Sequence, residues 1–311
     1  MTRRRITVGT RGSALALTQT ASVVDTLRSL HPELDVDVRR ITTKGDVMRD
    51  VPLATLGGRG VFVDAIEEAL REHQIDLAVH SAKDLPSRVP PHLAIAAFLE
   101  RADPRDVLVS RLGTLRELPP GARVGTSSLR RVSQIHAERP DVETLDLRGN
   151  VDTRLRKLDA GDYDAIVLAG AGLIRLGLAS RVTEWLPVDV MVPSPGQGAL
   201  ALEIRAADAA LRALVEPLAH APTTAALIAE RAYLARLGAG CAAAVGAYAT
   251  LDAGRLTMRA IIGTADGRSV RAVDTDDAEH AVSLGERMAD HLLAAGGREL
   301  VAESERPSSV T

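Results

Sequence analysis

The strongest constraint on the fold of this chain is a short unit that occurs twice. Residues 8–15 read VGTRGSAL and residues 124–131 read VGTSSLRR. In each, an apolar stretch that reads as a strand ends in Gly-Thr, and a Ser then opens a run with helical spacing. A strand feeding a helix through a small polar turn is the start of an α/β unit. The repeat therefore predicts two similar doubly wound lobes with a cleft between them. Such a turn also leaves the first helical amides free to meet an anion, with Arg11 adjacent to complete the site. An ordinary N-cap at Ser13 is the plainer alternative.

In the first lobe the pattern predicts a strand over 5–9, a helix over 13–30 and a half-buried strand over 34–38. Residues 44–60 mix Gly, Pro and charge and read as a long mobile loop hinged at Gly57, Gly58 and Gly60. No Lys-Ser or Lys-Thr pair follows those glycines, so they do not form a P-loop. Phe62, Ile66, Ala69 and Leu70 mark a helix face that leads into VHSAKDLP, residues 79–86. There a buried-strand run, Leu77, Ala78 and Val79, ends in polar residues. Side chains at the carboxyl end of a strand in an open α/β sheet face the ligand crevice, which makes Lys83 and Asp84 a candidate reaction centre. A solvated surface pair is the alternative for an isolated Lys-Asp.

Composition shifts over 100–122, through RADPRD and LPPGA, and the pattern restarts. A second helix runs to about Arg139 and stops at Pro140. LRGNVDTRLRKL, residues 147–158, is the strongest basic signal, with Arg148 in a turn and Arg154 near the start of a helix where it can face an anion. Asp152 and Arg156 have the spacing of a helical ion pair instead. Residues 164–178 read as another buried strand and a turn presenting Arg175. PSPGQGALALEI, residues 193–204, imitates a dinucleotide fingerprint, but prolines precede its glycines and a strand follows them. It reads better as a crossing segment with Gln197 exposed at the hinge. From about residue 217 a small α+β unit begins, with a helix over 222–237, a three-stranded antiparallel sheet and a covering helix over 277–295. Cys241 falls in the loop before that sheet, either as a small buried hydrophobe or as a sulfur presented to a ligand. The division expected is 1–99 with 196–216, then 100–195, then 217–311.

Basic and acidic residues nearly cancel, 38 against 41, so charge demands neither nucleic acid nor an anionic membrane as partner. Aromatics are 2% of the chain, too few for a stacking platform. A single cysteine excludes a disulfide framework and a thiolate zinc cluster. No clustered acidic metal site is evident. No stretch has the length and apolarity of a membrane span, and MTRRR leads into a strand rather than a signal-peptide core, which points to the cytoplasm.

TRGSALAL at Thr10, GGRGVF at Gly57, DLAVHSAKDLP at Asp76, VGTSSLRR at Val124, LRGNVDTRL at Leu147, LAGAGLIRLGL at Leu168, PGQGAL at Pro195 and GC at Gly240 occur in one order and spacing. Together they closely resemble the porphobilinogen deaminase family, the hydroxymethylbilane synthases of haem biosynthesis. The resemblance implies a monomeric transferase with two lobes like those of bilobal solute-binding proteins and a third, cofactor-carrying domain. It implies stepwise deamination and head-to-tail condensation of four porphobilinogen molecules on a dipyrromethane primer, which Cys241 would hold through a thioether, and hydrolytic release of the linear product. Asp84 would be the principal catalytic group, stabilising an azafulvenium cation. The cofactor would be bound by Ser13, Lys83, Thr126, Ser128, Arg130, Arg131, Arg148 and Arg154. The substrate would meet Arg11, Arg148, Arg154, Arg175 and Gln197. Thr55 stands where the family often has Lys, and AAAVG after Cys241 is less polar than in some relatives. A non-catalytic bilobal binder of an anionic metabolite is the main rival, though it has no use for Cys241 or for the Lys83-Asp84 pair.

Overall fold

The computed structural model describes residues 4–43, 63–238 and 244–305. The hinged loop expected at 44–60, with Thr55, and the cofactor cysteine Cys241 lie outside the described residues. Along the chain come Arg5–Arg11 (β1), Ala14–Leu30 (α1), Asp35–Ile41 (β2), Asp64–Arg71 (α2), Leu77–Ser81 (β3) and Leu93–Phe98 (β4). Asp106–Ser110 (β5), Arg123–Gly125 (β6), Leu129–Glu138 (α3), Glu143–Leu145 (β7), Val151–Asp159 (α4), Ala165–Ala169 (β8), Gly170–Arg175 (α5) and Glu184–Trp185 (β9) follow. The chain ends with Leu200–Arg205 (β10), Ala209–Val215 (α6), Ala221–Leu237 (α7), Ala244–Asp252 (β11), Arg255–Gly263 (β12), Ser269–Asp277 (β13), Ala281–Leu292 (α8) and Arg298–Glu305 (α9). These elements group into two compact units, 1–102 with 198–224, and 103–197 with 225–311.

The first unit is built on a five-stranded sheet in the order β2-β1-β3-β10-β4. Its parallel part follows from the βαβ pattern: β1 pairs with β2 from Arg5↔Asp35 to Arg11↔Ile41, and with β3 at Val8↔Leu77. β10 runs antiparallel to both β3 and β4. Both faces are covered. Val23, Val24 and Leu27 of α1 and Leu211 and Val215 of α6 pack with Ile6, Val8, Leu202 and Ile204 on one side. Ile66, Ala69 and Leu70 of α2 pack with Ile75, Ala78 and Leu93 on the other. A sheet buried on both faces needs nearly continuous apolar strands, which is what LAV in β3 and LAL in β10 supply.

The second unit repeats the plan with the order β7-β6-β8-β5-β9. β6 lies parallel to β7 and β8, and β5 is antiparallel to β8 and β9. Ile135 of α3 packs with Leu108, Val124 and Val167, while Leu155 and Leu158 of α4 pack with Val107, Val109 and Ile166 on the opposite face. The α/β, doubly wound architecture inferred from the duplicated turn is thus present in both units. β4, β5 and β9 had no counterpart in the sequence reading. β5 hides behind RADPRD, whose charges read as a boundary, and the turn expected before Arg175 is instead the helix α5.

The same unit carries the three-stranded antiparallel sheet β11-β12-β13. Its first hairpin closes over Ala253 and Gly254, both at positive φ, the conformation a two-residue hairpin loop requires. α7 and α8 cover one face through Ala226, Ala229, Tyr233, Leu284 and Met288. The covering helix starts at Ala281, after a single 3-10 turn, rather than at Asp277. Tyr233 is fully buried, its hydroxyl donating to Ile261 O at 3.1 Å. Burial pushes that phenol well above its ordinary value. The two helices cross closely because α8 has Gly285 at the contact, where a Cβ would stand 2.1 Å from Ala229 O and 2.8 Å from Tyr233 N. Neither obstacle is a flexible side chain. Gly285→Ala is expected to force α8 away and to lower stability by about 2 kcal/mol, the scale of an overpacked core, read from the midpoint of urea unfolding.

Candidate functional site

Because β1 and β3 are adjacent and parallel, their carboxyl ends lie side by side, and the candidate residues at those ends meet in one pocket of the first unit. Arg11, Ser13, His80, Lys83 and Asp84 line it. Lys83 and Asp84 sit in a single 3-10 turn, Ala82–Asp84, where β3 ends. Ser13 is the N-cap of α1, its hydroxyl accepting from Ala16 N at 3.2 Å. The plain capping role is therefore real, and the same hydroxyl can still donate into the pocket. Gln19 of α1 and Ser81 of β3 exchange hydrogen bonds at 3.1 and 3.3 Å, which ties the helix to the strand end that carries Lys83.

In the second unit the residues expected to bind ligand directly are partly committed to the protein. Asp106, the first residue of β5, is fully buried. Its Oδ2 accepts from Arg130 Nη1 at 2.6 Å and its Oδ1 from Arg131 Nη2 at 2.7 Å. Gln197 Nε2 donates to the same carboxylate at 3.0 Å and to Pro104 O at 2.8 Å. Burial alone would raise the Asp106 carboxyl, but the two guanidiniums and Gln197 outweigh it and hold it far below the usual carboxylate range. Sequence reasoning missed Asp106 entirely. Gln197, expected to be exposed at a hinge, is 1% exposed. Gly196 and Gly198 flank it at positive φ and turn its amide inward, where a buried carboxylate needs a third donor.

Thr126 and Ser128 fall in the turn between β6 and α3, and Ser128 N donates to Thr126 Oγ1 at 3.2 Å. Ser128 is the N-cap of α3 without a side-chain bond to the helix. Arg148 sits in the turn after β7, 3.4 Å from Asp146. Arg154 projects from the first turn of α4, and its Nε donates to Gly149 O at 2.8 Å. Burial first, and then the like charge of Arg131, pull the Arg154 guanidinium down to about 10, with Asp146 opposing and Arg148 adding to the pull. A half-buried cation among cations is a site that an anionic ligand would relieve. Arg175 ends α5, and burial lowers its guanidinium too. Arg156 bonds Thr153 rather than pairing with Asp152. Asp276, Asp277 and His280 approach closely enough to share an ion, but Asp276 already accepts from His280 and Arg287 at the surface.

Among the described residues no helix is long and apolar enough to cross a membrane. The family model described as "Porphobilinogen deaminase, dipyromethane cofactor binding domain" matches residues 6–213, and that for the porphobilinogen deaminase C-terminal domain matches residues 224–294. Proteins named porphobilinogen deaminase from Roseiflexus castenholzii and Brevibacillus brevis are 54% and 48% identical over 96% and 95% of this chain and 99% and 96% of theirs. Among solved structures, the BenM effector-binding domain with benzoate superposes at a TM-score of 0.43 and 15% identity, over 70% of this chain and 91% of that one.

The Asp106 network makes a separate expectation. Replacing one partner of a buried charge cluster leaves the others uncompensated, so Asp106→Asn should lower stability by about 3–5 kcal/mol in urea unfolding. A carboxyl depressed in the folded state stabilises above its unfolded value, about 4, and that contribution disappears as pH falls below it. The variant should accordingly show a smaller acid-induced loss of stability than the wild type.

Proposed function

The chain belongs to the porphobilinogen deaminase family, and from that premise we propose which of its residues carry the reaction. It is a hydroxymethylbilane synthase, a transferase of tetrapyrrole biosynthesis that joins four porphobilinogen molecules head to tail. Its cofactor is dipyrromethane, and Cys241 is the one sulfhydryl in the chain that can form the thioether. When bound, that group supplies the pyrrole carbon on which the chain grows. The residues present fit such a group: Arg148 and Arg154, beside Arg131, form a cationic set with Asp146 as counter-charge, suited to carboxylates.

Asp84 is proposed as the catalytic carboxylate. Its carboxylate stabilises the positive charge that develops on the porphobilinogen methylene as the C–N bond breaks and ammonia leaves, and it accepts hydrogen bonds from pyrrole N–H groups. The observation that carries this reading is the gathering of Arg11, Ser13, Lys83 and Asp84 in one pocket at the ends of β1 and β3. Arg11 and Lys83 provide charge for substrate or cofactor carboxylates, and the first amides of α1 add donors at the same place. Arg148, Arg154 and Arg175 are proposed for further carboxylates, with Thr126 and Ser128 as hydroxyl donors. Arg130, Arg131 and Gln197 act together, holding Asp106 while presenting their remaining polar edges to the ligand. The three separate sheets support a division into 1–99 with 196–216, 100–195 and 217–311. A monomer in the cytoplasm, acting on a small molecule and not on nucleic acid, completes the proposal.

Intact mass of the wild type and of Cys241→Ser is the first test: an adduct of two linked pyrrole units is expected on the former and not on the latter. If neither carries it after incubation with porphobilinogen, the anchoring role fails. Asp84→Asn is expected to keep the fold and the adduct while turnover falls by about a hundredfold or more. Full activity in that variant would refute the role of Asp84.

A further inference from the structure

Three titratable groups that the proposed chemistry leaves unassigned stand on one face of the first sheet, and one of them, His80, lines the Asp84 pocket. His80 lines that pocket while being only 5% exposed. Its Nε2 lies 3.0 Å from Oε2 of Glu203, which is fully buried on β10. The pairing of β10 with β3 explains the contact: Glu203 stands opposite Ala78 and Ala201 opposite His80, so the two side chains are diagonal neighbours on one face. α2, which packs on β1, β3 and β10, brings Glu67 to the same face. Oε1 of Glu203 and Oε1 of Glu67 are both buried, and neither has a hydrogen-bond partner among the described residues.

A buried carboxylate and a half-buried one on the same face, each with a buried orphan oxygen, do not readily both ionise. Burial first, and then the charge of Glu203, push the Glu67 carboxyl up to about 7, against the opposing pull of His80. The remaining charged group acting on it is Asp64 of its own helix. Glu68 and Arg71 of α2 are paired with each other, Arg205 of β10 with Asp76, and Arg5 of β1 with Asp37, while Arg11 of β1 lines the pocket.

We propose that Glu67 and Glu203 are positioning residues for the condensation: Glu203 fixes the His80 ring in the pocket wall, and Glu67, by gaining or losing one proton, sets the charge behind that wall. This rests on the reading of the pocket as the reaction centre. With Glu67 ionised, an added negative charge favours the positive charge that develops on the substrate beside Asp84. With Glu67 protonated, that help is lost. Turnover therefore rises with pH as Glu67 ionises.

The test is kcat and KM of the holoenzyme against pH for wild type, Glu67→Gln and Glu203→Gln, with infrared titration of the protonated carboxyl band on the wild type. In the wild type, kcat is expected to rise on the order of fivefold through an inflection near pH 7. Glu67→Gln should stay at the low-pH level without the inflection, with KM changed by less than about twofold. Glu203→Gln should move the inflection to lower pH, because its charge is one of the causes that raise Glu67. The infrared band should titrate over the same range. A wild-type pH profile in Glu67→Gln, or a wild-type band that shows no titration near neutral pH, overturns the proposal whatever the folding of the variants. Asp84→Asn separates the two readings: if it retains turnover the pocket assignment fails, and if it loses turnover while Glu67→Gln keeps the wild-type profile, only the present proposal fails.

Discussion

The buried carboxylate of Asp106 is the contact on which the second unit depends. Taking a carboxylate out of water is expensive, and two guanidiniums and an amide at 2.6–3.0 Å make it tolerable here. The three donors come from distant parts of the chain. Arg130 and Arg131 belong to the first turn of α3, and Gln197 to the turn between two glycines that leads to β10. Arg130 also donates to Val192 O, and Arg131 to Val167 O in β8. One charge thus sets the start of β5, the entry of α3 and the path of the 192–197 segment together. Removing it would disturb all three.

The residues that read correctly from sequence are those whose structure is decided locally. Apolar period and small polar turns place β1, α1, β3, β6, α3 and α7, and the Gly-Thr duplication carries the repeated sheet order. The position of Lys83 and Asp84 at the carboxyl end of β3 was legible because an apolar run that ends in polar residues marks a strand end in a parallel sheet. What did not read is what depends on distant partners. Asp106 sits in a charged stretch that looks like surface until Arg130, Arg131 and Gln197 arrive to neutralise it. Gln197 looks exposed between glycines for the same reason. Glu203 interrupts an apolar run, and only the antiparallel pairing of β10 with β3 puts it beside His80.

Arginine stands in two physically different settings in the second unit. Arg130 and Arg131 are locked onto an anion the protein supplies. Arg154 is half-buried with like charges beside it, bonds a backbone carbonyl and makes no ion pair among the described residues, so its charge is left uncompensated by the protein. The composition gives both as the same letter. Exposure follows the same division, since Arg130 and Arg131 are buried and Arg154 is only half-buried. The distinction lies in whether the protein has already provided the counter-charge.

The two sheets share a further feature that follows from their order. In each, four strands run the same way, and the one that is fourth in the order runs against them. That fourth strand, β10 in one unit and β5 in the other, carries a fully buried carboxylate, Glu203 or Asp106. Asp106, at the amino end of β5, stands opposite Ala169 where β8 finishes, and Glu203, inside β10, stands opposite Ala78 and diagonal to His80. Each strand thus sets an acid within the sheet without being part of the turns that end the parallel strands. In the second unit that acid is saturated with cations and fixes the architecture. In the first it meets one imidazole and lies near a second carboxylate, which leaves its surroundings able to respond to a proton.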